Sequence, residues 1–314
     1  MSIFYEIEFA KYILPYLSRR YMITILVIRR RTYTMKPSLA GVVILYNPDD
    51  SVLNNIRSYA SYLDILYIID NSTINNKNLI EKLQENFSIK YIHHHENKGI
   101  AYSLNEVLDL VKGRYEWLLT MDQDSSFYSG KFPEYTSILS QIGSDVYGIC
   151  PNHESLEIAG RGKTLVRIDR CITSGSIIRV NLALTCGGFD ENLFIDEVDF
   201  EFNYRCEKRG YKLLQYCPRI LLHHVGHPIY VNIFGWHFKT LNENAIRQYY
   251  IFRNKLYIAS NYPEKRWFYY IDLLKWFIKI ILAEPDKWKK IKYGFLGCYD
   301  FYRNQYGKIP ASYL

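Results

Sequence analysis

The sequence predicts an α/β protein built on a doubly wound, mostly parallel sheet flanked by helices. A continuous apolar run at residues 39–45 is typical of a central parallel strand that is covered on both faces. Strand-like and helix-like segments then alternate as far as Met121, which is the order that a parallel sheet with crossover helices requires. Ligands of such sheets bind beyond the carboxyl ends of the strands, so a site is expected there.

The elements follow one another with short connections. Asn47-Pro48-Asp49-Asp50 breaks the first strand and begins a helix that we expect to end at Tyr62. The pattern then predicts a strand at residues 65–69, a helix at 78–86, a strand at 89–93, a helix at 100–111, a strand at 115–121 and a later strand at 212–216.

Charge and cysteine content limit the class of protein. The net charge of +7 comes from the two ends of the chain, and the segment between them is close to neutral. A nucleic-acid-binding module would carry the basic patch on its folded body, so that function is excluded, whereas basic ends suit an anionic membrane surface. The six cysteines lack metal-ligand spacing and are expected to be reduced thiols in the cytoplasm.

Two carboxylates directly follow the predicted strand at residues 115–121. Asp122 and Asp124 alternate around Gln123, and hard oxygen ligands spaced in this way suit Mg²⁺ or Mn²⁺ bridging a diphosphate. The first strand is not followed by a glycine-rich turn, so neither a dinucleotide fingerprint nor a P-loop is present. The sequence therefore predicts a nucleotide site made of strand-end side chains and a metal, with a solvated Asp-x-Asp turn as the alternative.

A second group of carboxylates lies between Gly187 and Arg205. Asp196, Glu197, Asp199 and Glu201 alternate there with phenylalanines, so acid is held against an apolar wall. Such surroundings raise the pKa of a carboxylate and tune it as a base. A solvated acidic loop is the alternative.

A helical pattern near residue 250 carries two further candidates. Guanidinium groups match phosphate oxygens, so Arg247 and Arg253 are expected to contact the diphosphate of the bound nucleotide. The alternative is that ion pairs of this helix tie it to the preceding domain.

Five motifs, taken in order, resemble family-two glycosyltransferases of the A-type fold. The similarity is greatest to the rhamnosyltransferase-like branch of bacterial cell-surface polysaccharide synthesis, and it extends from about residue 37 to the end. The motifs are Val42–Pro48, Ile68–Ser72, Asn97–Asn105, Asp122-Gln123-Asp124 and the segment from Gly187 to Arg205; residues 247–254 are also similar to that branch.

The resemblance implies a role for most of these residues. Asp199 corresponds to the catalytic base, and Asp196, Glu197 and Glu201 form an acidic shell near the acceptor. Many relatives carry Glu at the position of Val198. The donor nucleotide is expected to contact Tyr46, Asn47, Asp70, Asn71, Gly99, Asp122, Arg247 and Arg253.

The resemblance also implies a divalent metal ion, Mn²⁺ or Mg²⁺. Asp124 and His223 are the expected ligands, with Asp122 at the ribose and metal, because relatives carry a histidine three residues before a glycine. His224 is the alternative ligand. A further alternative is that neither histidine binds a metal and that both only pack or face solvent.

The predicted reaction is inverting transfer of a sugar from a nucleotide donor to a glycan or lipid-linked glycan. dTDP-rhamnose is the donor that the resemblance implies, UDP-hexoses and UDP-galactofuranose are alternatives, and a non-catalytic nucleotide-sugar-binding module is the alternative of another class. No prediction is made for the oligomeric state.

Three regions follow from these patterns. Residues 1–36 are an N-terminal extension, either poorly ordered or preceding the true start; residues 37–245 form the catalytic domain; residues 246–314 form a helical region. Within the last, residues 267–282 are strongly apolar but include Asp272, Lys275 and Lys279, which favours a helix lying at the inner face of the cell membrane over one spanning it. A helix packed on the catalytic domain is the alternative.

Overall fold

The structure is a computed structural model that describes residues 37–153, 164–223, 229–233 and 236–314. Residues Ser38–Leu314 form one compact unit. The extension predicted at residues 1–36 lies outside the described residues. The division of the remainder at residue 245 stays a prediction.

The first part of the described chain alternates strands with helices, as predicted. These elements are β1 (Leu39–Leu45), α1 (Ser51–Arg57), β2 (Ile65–Asp70), α2 (Lys77–Gln84), β3 (Ile89–His93), α3 (Ile100–Val111) and β4 (Trp117–Asp122). The helix expected to end at Tyr62 ends at Arg57, and a separate 3₁₀ turn covers Ala60–Tyr62.

The second part mixes short strands with longer helices. Its elements are β5 (Ser125–Phe127), α4 (Lys131–Ser137), β6 (Val146–Pro151), β7 (Leu165–Ile168), β8 (Ser176–Arg179), α5 (Val180–Thr185), α6 (Val198–Lys208), β9 (Lys212–Tyr216), β10 (Leu221–His223), β11 (Ile229–Ile233), β12 (Trp236–Thr240), α7 (Ala245–Asn261), α8 (Arg266–Ala283) and α9 (Lys287–Tyr302). Further 3₁₀ turns cover Ile138–Gln141, Pro263–Lys265 and Ala311–Tyr313.

The central sheet has eight strands in the order β3-β2-β1-β4-β8-β6-β9-β7. Neighbours from β3 to β4 are parallel, β8 runs antiparallel to both β4 and β6, and β7 is antiparallel to β9. The sheet is therefore mixed but mostly parallel, which confirms the predicted class. Leu45 pairs with Asp70 and Ile44 pairs with Asp122, so the ends of β2 and β4 flank the end of β1.

Two hydrophobic clusters cover the two faces of the sheet. Val42 belongs to one and Val43 to the other, because successive side chains of a strand point to opposite faces. Helix α3 covers the first face, and helices α1 and α2 cover the second. Burial on both faces explains why β1 reads as a continuous apolar run.

The C-terminal helices pack closely on one another. A Cβ at Gly297 of α9 would lie 2.2 Å from the carbonyl oxygen of Tyr249 in α7, so only glycine permits this approach. Among the described helices, none combines the length and the hydropathy that crossing a bilayer requires.

Candidate active site

A cavity of about 550 Å³ opens beyond the carboxyl ends of β1 and β4. It lies where a doubly wound sheet is expected to bind its ligand. Nine of the residues singled out in the sequence line it: Tyr46, Asn71, Gly99, Asp122, Asp124, Asp196, Glu197, Asp199 and Arg247.

The Asp122–Asp124 turn is fixed against the end of β1 by Gln123. The side chain of Gln123 accepts from the Tyr46 amide at 2.8 Å and donates to the Tyr46 carbonyl at 3.2 Å. Asn55 of α1 donates to the Gln123 carbonyl at 2.8 Å. Both carboxylates are therefore held at the mouth of the cavity by contacts that Gln123 makes.

Gly99 brings the start of α3 against the acidic segment, which is residues 187–205. Its φ of 88° and a Cβ position 2.7 Å from the Phe194 carbonyl oxygen exclude other residues. The amide of Ile100 donates to that carbonyl at 2.9 Å, and Asn71 donates to the Gly99 carbonyl at 3.3 Å. Asn71 and Gly99 thus join the strand ends to the segment that leads to Asp199.

The acidic segment turns sharply before α6. Asp196 and Glu197 both have a φ of 64°, and Asp199 follows in the first turn of the helix. Arg247 of α7 binds Asp196 through Nη2 at 3.0 Å while it also lines the cavity. Its position therefore suits both roles that the sequence left open, contact with a ligand and attachment of α7.

Burial raises the pKa of two carboxyl groups in the cavity. The pKa of Asp199 rises to about 7 because of burial first and the negative charge of Glu197 second. The pKa of Asp122 rises to about 7 because of burial and then the charge of Asp124. A carboxylate with such a pKa accepts a proton readily near neutral pH.

Four predicted residues do not line the cavity. Asn47 is exposed on the loop after β1. Asp70 is fully buried, and its carboxylate accepts from Tyr91 at 2.5 Å and from the Ser72 amide at 2.9 Å; these bonds outweigh burial and lower its pKa. Arg253 and Glu201 likewise have other partners.

Arg253 is fully buried, which corrects its expected place at the diphosphate. It donates to the carbonyls of Gly307 at 2.7 Å and Asn192 at 3.2 Å, so it attaches α7 to the neighbouring segments. Glu201 pairs with Arg205 within α6 at 2.5 Å and faces a different, shallow groove.

The carboxylates fit a divalent metal ion that is bound partly by its substrate. Mg²⁺ typically takes one or two carboxylates together with phosphate oxygens, and Asp122 and Asp124 supply that set. No group of three His, Cys, Asp or Glu side chains that could hold a metal occurs within the described ranges. The backbone of His223 pairs with Ser125, next to Asp124, whereas His224 lies outside the described residues.

Several lining residues were not anticipated from the sequence. Glu243, Lys255 and Trp276 lie on or near the C-terminal helices, far along the chain from the strand ends. Lys255 and Trp276 resemble ordinary residues of amphipathic helices. These residues reach the cavity only because α7 and α8 pack beside the turn at Asp196 and Glu197.

Ionisation of the cavity should destabilise the metal-free protein. The pKa values of Asp122 and Asp199 are raised above those of the unfolded chain, so their contribution to folding is complete below about pH 4 and is lost as pH rises through about 7. Asp199→Asn should gain stability relative to the parent between about pH 5 and 8, by at least about 1 kcal/mol. Thermal unfolding with chelator measures this.

Asp109→Asn is the control for this experiment, because Asp109 is exposed on α3. Its stability curve against pH should follow that of the parent. Parallel curves for Asp199→Asn and the parent would show that Asp199 is not held in a destabilised ionised form.

Comparison with known proteins shows which family and fold this chain resembles. Residues 42–178 match the family model described as glycosyl transferase family 2. The dTDP-rhamnosyl transferase RfbF of Shigella flexneri is 25% identical over 244 residues, which are 70% of this chain and 79% of that protein. The mannosyltransferase PcManGT of Pyrobaculum calidifontis, solved with GDP-Man and Mn²⁺, matches 90% of this chain and 79% of its own with TM-score 0.51 and 13% identity.

TarS 1–349 of S. aureus, solved with UDP-GlcNAc, matches over 59% of this chain and 57% of that chain, with TM-score 0.47 and 15% identity.

The fold is therefore the A-type glycosyltransferase fold, as the sequence predicted. Within that class, the family model over residues 42–178 and the rhamnosyl transferase relative support a glycosyltransferase of the family 2 type, similar to rhamnosyltransferases.

Proposed function

We propose that the protein is an inverting, metal-dependent transferase that moves rhamnose from dTDP-rhamnose to a glycan or lipid-linked glycan of the cell surface. The observation that carries this proposal is that one cavity holds both the Asp-x-Asp turn and the buried carboxylate of Asp199. The relative named as a dTDP-rhamnosyl transferase supports the donor.

In this mechanism, Asp199 takes the proton from the acceptor hydroxyl while the hydroxyl oxygen attacks the anomeric carbon. The bond from that carbon to the nucleoside diphosphate breaks in the same displacement, so the configuration inverts. Arg247 and Tyr46 orient the donor from the rim of the cavity. Mn²⁺ or Mg²⁺, held by Asp122, Asp124 and His223, would neutralise charge on the departing diphosphate.

A thermal-shift screen with Mn²⁺ tests the donor. A ligand that binds only the folded state at a hundred times its Kd stabilises it by about 2.7 kcal/mol. dTDP-rhamnose should raise the unfolding temperature more than dTDP, UDP-hexoses or UDP-galactofuranose at equal concentration. A larger shift with a UDP-sugar would replace the proposed donor.

We further propose that α8 and α9 lie on an anionic membrane at the inner face of the cell membrane. Helix α8 exposes an apolar stripe at heptad-like spacing, in which Trp267 is 74% exposed and Leu274 is 57% exposed. The complete stripe is Trp267, Ile271, Leu274, Ile278 and Leu282. The opposite face of α8 carries Trp276, which lines the cavity, so a membrane-bound acceptor would lie close to the site.

The charges of these helices favour an anionic surface. Asp272 binds Lys255, Glu284 binds Lys290, and Asp300 accepts from Tyr249, so these acids point inward. The exposed charges of α9 are lysines, namely Lys287, Lys289 and Lys292. Basic and aromatic side chains around an apolar stripe are typical of interfacial helices.

Reversing the charge of Lys287, Lys289 and Lys292 together should weaken binding to anionic liposomes at low salt by at least roughly a hundredfold, the loss expected from removing three positive charges alone. Each basic residue near such a surface contributes about 1 kcal/mol, and about 1.4 kcal/mol is tenfold in affinity. Co-sedimentation measures the change. Reversal of the exposed lysines Lys82, Lys90 and Lys112 is the control; equal losses for both triple variants would contradict the assignment of α9 as the docking surface.

A further inference from the structure

We propose that Lys255 and Glu197 form a positioning pair that holds the turn from which Asp199 reaches the acceptor. This inference rests on the proposed role of Asp199 as the base. It concerns two residues that are distant in sequence and that meet at one wall of the cavity.

The turn before α6 is in an unfavourable backbone conformation. Asp196 and Glu197 are consecutive non-glycine residues with a φ of 64°, in the left-handed region. Each such residue costs roughly 1–2 kcal/mol, and it persists only where surrounding contacts hold it. Because α6 begins at Val198, this turn determines the direction in which Asp199 points.

Helix α7 supplies the contacts that hold the turn. Arg247 binds the Asp196 carboxylate, and Asn254 donates to the carbonyls of Ile195 at 2.7 Å and Asp196 at 3.0 Å. These contacts fix the first half of the turn. Glu197, which is only 8% exposed, needs partners of its own because an unpaired buried carboxylate is costly.

Lys255 and Tyr269 are the partners of Glu197. Lys255 Nζ lies 3.1 Å from Glu197 Oε1, and Tyr269 donates to Oε2 at 2.8 Å. Lys255 also contacts Asp272 Oδ2 at 2.5 Å. Burial alone would lower the pKa of Lys255, but the carboxylates of Glu197 and Asp272 outweigh it and raise the pKa, so the ammonium group stays charged.

This arrangement fixes Lys255 from two sides. Its ammonium group is engaged by two carboxylates, so it is suited to hold the turn more than to bind a phosphate. Tyr269 and Asp272 belong to α8, so the same contacts connect the helix of the apolar stripe to the turn of Asp199. Loss of Lys255 would leave Glu197 buried without its cation, two residues from Asp199.

Steady-state kinetics of Lys255→Met, Glu197→Gln and the double variant test the pair. Each single variant should lower kcat roughly 10–100-fold, since misplacement of a reacting group by about 1 Å costs on the order of 10². The affinity for the donor nucleotide should stay within about twofold of the parent. The double variant should be no slower than the slower single variant, because both changes remove the same contact.

Two further variants separate positioning from stability. Lys255→Arg keeps the charge and should recover part of the lost kcat. Glu116→Gln breaks the ion pair with Arg179 at the opposite end of β4, so it should lower the unfolding temperature and leave kcat unchanged. Where Lys255→Met does not fold, Tyr269→Phe removes one hydrogen bond from Glu197 and should lower kcat several-fold with parental nucleotide affinity.

The parent and Asp199→Asn are measured in the same assay. An active parent and an inactive Asp199→Asn, beside parental kcat in Lys255→Met or Tyr269→Phe, would overturn the positioning pair alone. Additive losses in the double variant would also overturn it, because the two residues would then act independently. A parent that transfers no sugar from any donor would overturn the proposed function and this inference with it.

Discussion

Asp199→Asn is expected to lower the rate of sugar transfer by roughly 10²–10⁴-fold, the usual contribution of a general base. The amide keeps the size of the side chain but cannot take the proton from the acceptor hydroxyl. The affinities for donor nucleotide and metal should stay nearly unchanged, because Asp199 acts on the acceptor. Turnover and nucleotide binding, measured side by side, check this expectation.

Glu191→Gln is the matched control, since Glu191 belongs to the same acidic segment but is exposed and does not line the cavity. It should turn over at the parental rate. Near-parental turnover in Asp199→Asn would show that the base lies elsewhere. A loss of nucleotide binding as large as the loss of rate would assign Asp199 to the donor.

Removal of divalent metal with a chelator should abolish transfer, and Mn²⁺ or Mg²⁺ should restore it. Asp124→Asn keeps the shape of the side chain and loses the anion, so the Mn²⁺ concentration that it needs should rise at least 10–100-fold. His223→Ala should shift the same titration by losing a neutral nitrogen ligand. Activity titrated against Mn²⁺ measures both effects.

His224→Ala is the matched neighbour in this experiment. If its titration shifts while that of His223→Ala overlays the parent, the ligand is His224. Full activity of the parent with excess chelator would contradict metal dependence altogether.

The first half of the sheet was predictable because three of its four strands, β1, β2 and β4, are buried on both faces. These three strands read as apolar runs, and helices of 3.6-residue period separate the strands, so the order of elements followed from the sequence. Of the polar residues at the strand ends, Asn71, Asp122 and Asp124 line the cavity, whereas Asn47 and Asp70 do not. Asp122 and Asp124 lie where the carboxyl end of β4 was expected.

The second half was less predictable, because its arrangement depends on long-range pairing. Nothing in the apolar segment of β8 indicates that it runs antiparallel between β4 and β6. Arg253 was expected at the diphosphate because a guanidinium group matches phosphate oxygens, and only the fold shows that it donates to two backbone carbonyls instead. Lys255 and Glu197 are 58 residues apart in the sequence, so no local pattern predicts their ion pair.

Transfer by the purified parent, followed for donor consumption and product configuration, tests the central claim most directly. The assay supplies Mn²⁺, dTDP-rhamnose or a UDP-sugar, and a panel of free and lipid-linked glycan acceptors. We predict that rhamnose is transferred with one dTDP released per product and that NMR shows the opposite anomeric configuration from the donor. Nucleotide-sugar binding without transfer to any acceptor, or a product with retained configuration, would contradict the account.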